Sequence, residues 1–321
     1  MKVLGENHPD TAASYNNIGL VHDNQGNYAK ALEYYNKALA ILLKVLGENH
    51  PNTAASYNNI GVVYANQGNY AQALEYHQKA LVIRLKVLGE NHPDTATSYN
   101  NIGFVYRMQG SYAKALEHLE KAQAILLKVL GENHSSIATS YNNIGLVYAN
   151  QGEYAKALEY YNKALAIRLK VLGENHPDTA TSYNNIGFVY RKQGNYAKAL
   201  EYYNKALAIY QKVHGENHPD TATSYNNIGV VYDNQGNDAK ALEYHQKALT
   251  VQLKVLGENH PLTATSYYNM TAPLYRSGKK EEARDHLRKA VEIALKTLGP
   301  EHPYTKRFSA DLQFVENELK K

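Results

Sequence analysis

The side chains best suited to hold a metal ion in this sequence are its histidines, and eight of them keep a fixed spacing of 42 residues: His8, His50, His92, His134, His176, His218, His260 and His302. A zinc site needs three or four ligands converging at ~2 Å from the ion. Side chains one period apart in a repeating chain form a row instead, so no metal site is expected from them. Each stands in a context such as Asn175-His176-Pro177-Asp178, which suits entry into a helix. The other histidines, His22, His77, His118, His214, His245 and His286, mostly replace Tyr or Leu of sister segments and read as packing substitutes.

Acid–base chemistry needs carboxylates that converge in a cleft. Here Glu33, Glu75, Glu117, Glu159, Glu201 and Glu243 recur with the same period, each four residues before a lysine (Lys37, Lys79, Lys121, Lys163, Lys205 and Lys247). Pairing along one helix face accounts for that spacing. No nucleophile elbow, phosphate-binding loop or zinc motif is present. Neither enzymatic activity nor a cofactor is expected.

Composition narrows the classes further. The chain has 321 residues, with 34 basic against 30 acidic side chains and a net charge of +4. That balance is too even to imply nucleic acid. With no cysteine, disulfides and thiolate metal sites are excluded. No apolar run reaches the ~18 residues of a membrane span, and the N-terminus has no apolar signal core, so a cytoplasmic protein is expected.

The elements that position these residues follow from the period. Glycine repeats with it at Gly19, Gly61, Gly103, Gly145, Gly187 and Gly229, and a second series includes Gly26, Gly68, Gly110 and Gly152. A fixed period of this length predicts a solenoid with one continuous core. Seven full units are expected, 9–50, 51–92, 93–134, 135–176, 177–218, 219–260 and 261–302. A capping helix follows over 303–321, and residues 1–8 match the end of a truncated preceding unit. In the fourth unit Tyr141, Ile144, Gly145 and Tyr148 share one helical face. Asn150-Gln151-Gly152 breaks the pattern, and Tyr154, Ala157, Leu158, Tyr161, Ala164, Leu165, Leu169 and Leu172 form the apolar stripe of a second helix. Gly145, Ala157 and Ala164 are small enough for neighbouring backbones to approach closely. Two departures are notable. Pro273 falls inside the first helix of the seventh unit, where a kink or weakening is expected. No cap precedes Pro9, which predicts an exposed apolar face there and self-association through it.

Tyr141-x-x-Ile144-Gly145-x-x-Tyr148 followed by Ala157-x-x-x-Tyr161 resembles the tetratricopeptide repeat, normally ~34 residues long. The extra residues between Ala164 and Pro177, ending in Lys-Val-Leu-Gly-Glu-Asn-His-Pro, resemble the 42-residue subtype of kinesin light chains and nephrocystin. The resemblance covers virtually the whole chain. It implies an all-α, right-handed superhelical solenoid whose first helix of each pair, helix A, lines a concave peptide-binding groove.

Placed on that geometry, the asparagines Asn59, Asn101, Asn143, Asn185 and Asn227 form a groove ladder, one per repeat. An amide can pair with the backbone of an extended peptide whatever its sequence. Satisfying groups between helices is the alternative role, and the two can coexist. Near-identical units must agree wherever they pack, so disagreement marks surface. Repeats three and five differ from the rest by Phe104 and Arg107, and by Phe188, Arg191 and Lys192. These predict a basic, aromatic zone for a peptide with an acidic, partly apolar centre. The expected function is a non-catalytic protein-interaction scaffold. A kinesin-light-chain-like cargo adaptor and the sensor array of a larger signalling nucleotide hydrolase are the alternatives.

Overall fold

In the computed structural model, which describes Gly5 and residues 7–321, there are fifteen α-helices and no strand among the described residues. The stretch 1–8 therefore lies largely outside the described residues. The chain divides into two compact units at Glu153. The first holds α1 (Pro9–Asn24), α2 (Tyr28–Val45), α3 (Pro51–Asn66), α4 (Tyr70–Leu88), α5 (Pro93–Met108), α6 (Tyr112–Leu130) and α7 (Ser135–Asn150). The second holds α8 (Tyr154–Val171), α9 (Pro177–Lys192), α10 (Tyr196–His214), α11 (Pro219–Asn234), α12 (Asp238–Val255), α13 (Pro261–Arg276), α14 (Lys280–Thr297) and α15 (Pro303–Glu318).

The periodic histidines are helix starts. At all eight, the imidazole accepts a hydrogen bond from the backbone N–H two residues on, as His92 Nδ1 does from Asp94 at 3.1 Å. This satisfies one of the donors that a helix N-terminus leaves unpaired. A threonine latches the same junction: Thr95 Oγ1 donates to the Gly89 carbonyl at 2.9 Å, and Thr53, Thr179, Thr221 and Thr263 repeat the contact. Within a pair the turn depends on glycine, since Gly152 adopts φ 80°, a left-handed conformation that a side chain would strain.

Packing follows from the small residue on helix A. A methyl group added to Gly61 would stand 2.8 Å from the His77 ring, and one added to Gly187 would stand 3.0 Å from the Tyr203 ring. The second helix of the pair, helix B, can approach this closely only because that Cβ is missing. Ile60, Ile102, Ile186 and Ile228 complete the seam and are fully buried. Each such burial stabilises the fold by roughly 1.5–3 kcal/mol. By contrast Ile18, the counterpart of Ile60 on α1, is 39% exposed, and Val21, the counterpart of the buried Val63, is 54% exposed.

Two features depart from the sequence reading. Helix α13 spans the same 16 residues as its sisters and continues through Pro273 without a break. Pro273 lacks the N–H that would pair with the Asn269 carbonyl, so the ladder loses one bond, while the packed Met270, Leu274, Leu249 and Ala283 hold that turn in place. The apolar stripe of helix B also contains arginine. Arg84 and Arg168 are buried, donating to Ser98 Oγ and Ser182 Oγ, each at 2.8 Å, and to the carbonyls of Asp94 and Asp178. They tie helix B of one repeat to helix A of the next where other repeats use Leu42 or Leu126. No described helix is long and apolar enough to cross a membrane.

Candidate functional site

The A helices of successive repeats lie side by side: α3 meets α5 and α5 meets α7 in the first unit, while α9 meets α11 and α11 meets α13 in the second. Their side chains form a shared face in each unit. Helix spacing also fixes which residues meet there. Residues three apart share one side of a helix, and Arg107 accordingly lies over the Phe104 ring at 5.0 Å in the first unit. In the second unit Arg191 lies over Phe188 at 5.2 Å, with Lys192 Nζ at 5.7 Å from the same ring. In repeats three and five an aromatic–cation pair thus forms within the helix itself.

The asparagines divide the work. The first of the Asn-Asn pair bridges repeats at Asn226, whose Nδ2 donates to Ser266 Oγ at 2.7 Å, and at Asn16, whose Nδ2 donates to Ser56 Oγ at 3.4 Å. The second belongs to the proposed ladder, and Asn59, Asn101, Asn143, Asn185 and Asn227 are all half-buried. Asn101 already donates to Asn58 Oδ1 at 2.6 Å, so part of its capacity satisfies a neighbouring helix.

In the second unit the A-helix face encloses a cavity of about 550 Å³. Helix α9 supplies Arg191 and Lys192, α11 Asp233, α13 Tyr268, Tyr275 and Arg276, and α15 Arg307, Asp311 and Phe314. Four cations thus face two carboxylates, and both carboxylates are engaged. Asp233 pairs with Arg276, which also bonds Asp238 at 3.0 Å from Nε. Asp311 accepts the Tyr268 hydroxyl at 2.6 Å. Burial and the neighbouring Asp311 push Tyr268 up to about 12, so this hydroxyl remains a donor. Arg307 stacks on the Tyr268 ring at 5.0 Å. Arg191 hydrogen-bonds the buried Tyr203 hydroxyl, which anchors it from below. Such a face can receive a carboxylate between fixed guanidinium groups, with aromatic surface beside it.

The sequence singled out Arg191 and Lys192 but missed Arg307, Asp311 and Phe314, because the face that α15 turns to α13 depends on packing. His214 is likewise no packing substitute: it is partly exposed and stacks on His218, with ring centroids 4.1 Å apart. The last turn of α10 extends past the core there, so its side chain has no pocket to fill.

A profile of the tetratricopeptide repeat matches residues 1–44, 10–80, 52–128, 136–212, 178–254 and 234–296. The chain belongs to the tetratricopeptide-repeat family. No curated protein sequence matches it. Among solved structures, a tetratricopeptide-like protein from Podosopora anserina, described as a kinesin light chain with nearly identical repeats, is 26% identical. That match has a TM-score of 0.50 and covers 64% of this chain and 97% of the other. BtubC from P. vanneervenii is similar in fold, at 21% identity and TM-score 0.55 over 74% of this chain and 92% of that one. A Rap conjugation gene regulator of the plasmid pLS20, solved with the Phr* peptide, matches at 18% identity and TM-score 0.64 over 88% and 75% of the two chains. This tetratricopeptide-repeat chain is a helical scaffold of the kind those structures share.

Proposed function

We propose that the protein is a non-catalytic, cytoplasmic interaction scaffold that binds a peptide segment of a partner along the face lined by its A helices. The observation that carries this reading is the cavity between α9, α11, α13 and α15, where Arg191, Lys192 and Arg307 stand beside Tyr275 and Phe314. Their chemistry suits a peptide with acidic side chains next to an apolar or aromatic one. The asparagine ladder would hold its backbone, and Phe104 with Arg107 would repeat the aromatic–cation pair in the first unit. Among relatives in fold, the pLS20 Rap regulator was solved in complex with the Phr* peptide and a Rap protein was solved complexed with Competence and Sporulation Factor.

The test is an array of acidic, aromatic-containing peptides probed with the native chain and with an Arg191→Ala, Lys192→Ala double variant. Acidic peptides should be retained by the native chain and lost from the variant. Hot-spot residues of this type typically contribute ~2 kcal/mol or more each, a loss well over tenfold. Equal retention by both proteins would remove the cavity from the account.

A further inference from the structure

Helix α10 ends on a residue that no other repeat has. At the final helix B position the sister repeats carry Leu46, Leu88, Leu130, Leu172, Leu256 and Leu298, whereas here it is His214. The substitution adds a third polar group to a histidine–aspartate pair that other repeats already hold. Asp220 Oδ2 stands 3.5 Å from His218 Nδ1 and 3.8 Å from His214 Nε2, and the potential ligand atoms of all three residues lie within 4.8 Å of one another. At His92–Asp94 and His176–Asp178, both at 3.9 Å, leucine stands at the equivalent position, Leu88 and Leu172.

We propose that His214, His218 and Asp220 form a binding site for a divalent transition-metal ion such as zinc. Two imidazole nitrogens and one carboxylate oxygen are a donor set that zinc accepts, with water completing the tetrahedron. The spacing is slightly wider than a bound ion requires, since bonds of ~2.0–2.2 Å place tetrahedral ligands closer together than these atoms now stand. The two rings are 18° from parallel, so their lone pairs converge only after one imidazole rotates. His214 is free to make that rotation because its side chain is 26% exposed and ends a helix. Its other aromatic neighbour is the Tyr210 ring, stacked at 6.1 Å. The ion would take the His218 Nδ1 lone pair that otherwise accepts the Asp220 N–H at 3.2 Å, exchanging a helix cap for a metal bond. Bound there, it would link the end of α10 to the start of α11 across the loop at Gly215.

The sister repeats provide the control. His214→Leu installs the residue that six of them carry, and Asp220→Asn installs the residue of Asn52, so both variants keep a side chain this fold already accepts. Titration of the untagged native chain with zinc should show one site at micromolar metal and a rise in Tm. His214→Leu and Asp220→Asn should each weaken that site by more than the ~10–100-fold that even outer-shell partners supply. Circular dichroism should show both variants folded. Identical zinc affinity in the native chain and His214→Leu would overturn the site, as would a native chain that takes up no zinc.

Discussion

The helix pairs α3/α4 and α9/α10 share one backbone plan but fill the space opposite their glycine differently. Across from Gly61 stands His77, and across from Gly187 stands Tyr203. His77 directs Nδ1 to Asn58 Oδ1 at 3.2 Å, keeping its polar contact inside the core. Tyr203 extends past that point, and its hydroxyl meets Arg191 on the cavity wall. One ring closes the core on itself, while the other couples the core to the candidate site. His245, opposite Gly229, makes the same contact with Asn226 at 3.0 Å but also lines the cavity. Near-identical repeats can therefore differ in whether their core reaches the binding face.

Acid should separate the two plans most strongly. Burial lowers His77 and His245 to about 4, below the ordinary imidazole value. Between pH ~6.5 and that value the unfolded chain takes up protons that the folded core refuses. Stability is therefore complete above the upper limit and falls as pH drops, by about 3 kcal/mol for each histidine at the lower one. A His77→Leu, His245→Leu double variant, using the residue type of Leu119 and Leu287, should lose most of that acid slope in thermal melts. An unchanged slope would place the sensitivity elsewhere.

Overpacking comes next. Gly229→Leu would drive its side chain into the His245 ring, which a Cβ alone would approach to 2.7 Å. A cost of ~1–3 kcal/mol is expected. Hydrogen exchange should show the loss concentrated in α11 and α12, since repeat arrays are stabilised by nearest neighbours. Tyr203→Phe should cost less, ~1 kcal/mol for one hydrogen bond. It should nevertheless weaken binding of acidic peptides, because Arg191 loses its anchor. The smallest effect belongs to the exposed pair of Glu201 and Lys205, 2.7 Å apart on α10. Glu201→Gln should give no resolvable change in Tm.

Much of this was legible because the period repeats each physical constraint. The helix-entry role of the eight histidines, the left-handed turn at Gly152 and the close approach at Gly187 all follow from residues that recur in register. Phe188 and Arg191 could be paired from their spacing on one helix. Arg84 and Arg168 were not legible as core residues, because a buried guanidinium depends on a serine and a carbonyl contributed by the next repeat. Arg307 and Asp311 became visible only when α15 was placed against α13. His214 was hidden for a related reason: its partners His218 and Asp220 lie across a chain reversal.

On the proposed reading, the cations of the α9–α15 cavity hold an acidic peptide. The most direct measurement is the affinity of an acidic, aromatic-containing peptide retained on the array, taken by fluorescence anisotropy against the native chain, Arg191→Ala and Arg307→Ala. Either substitution should weaken binding at least tenfold and flatten its dependence on salt. Affinities that stay within twofold of the native value in both variants, with the salt dependence intact, would contradict it.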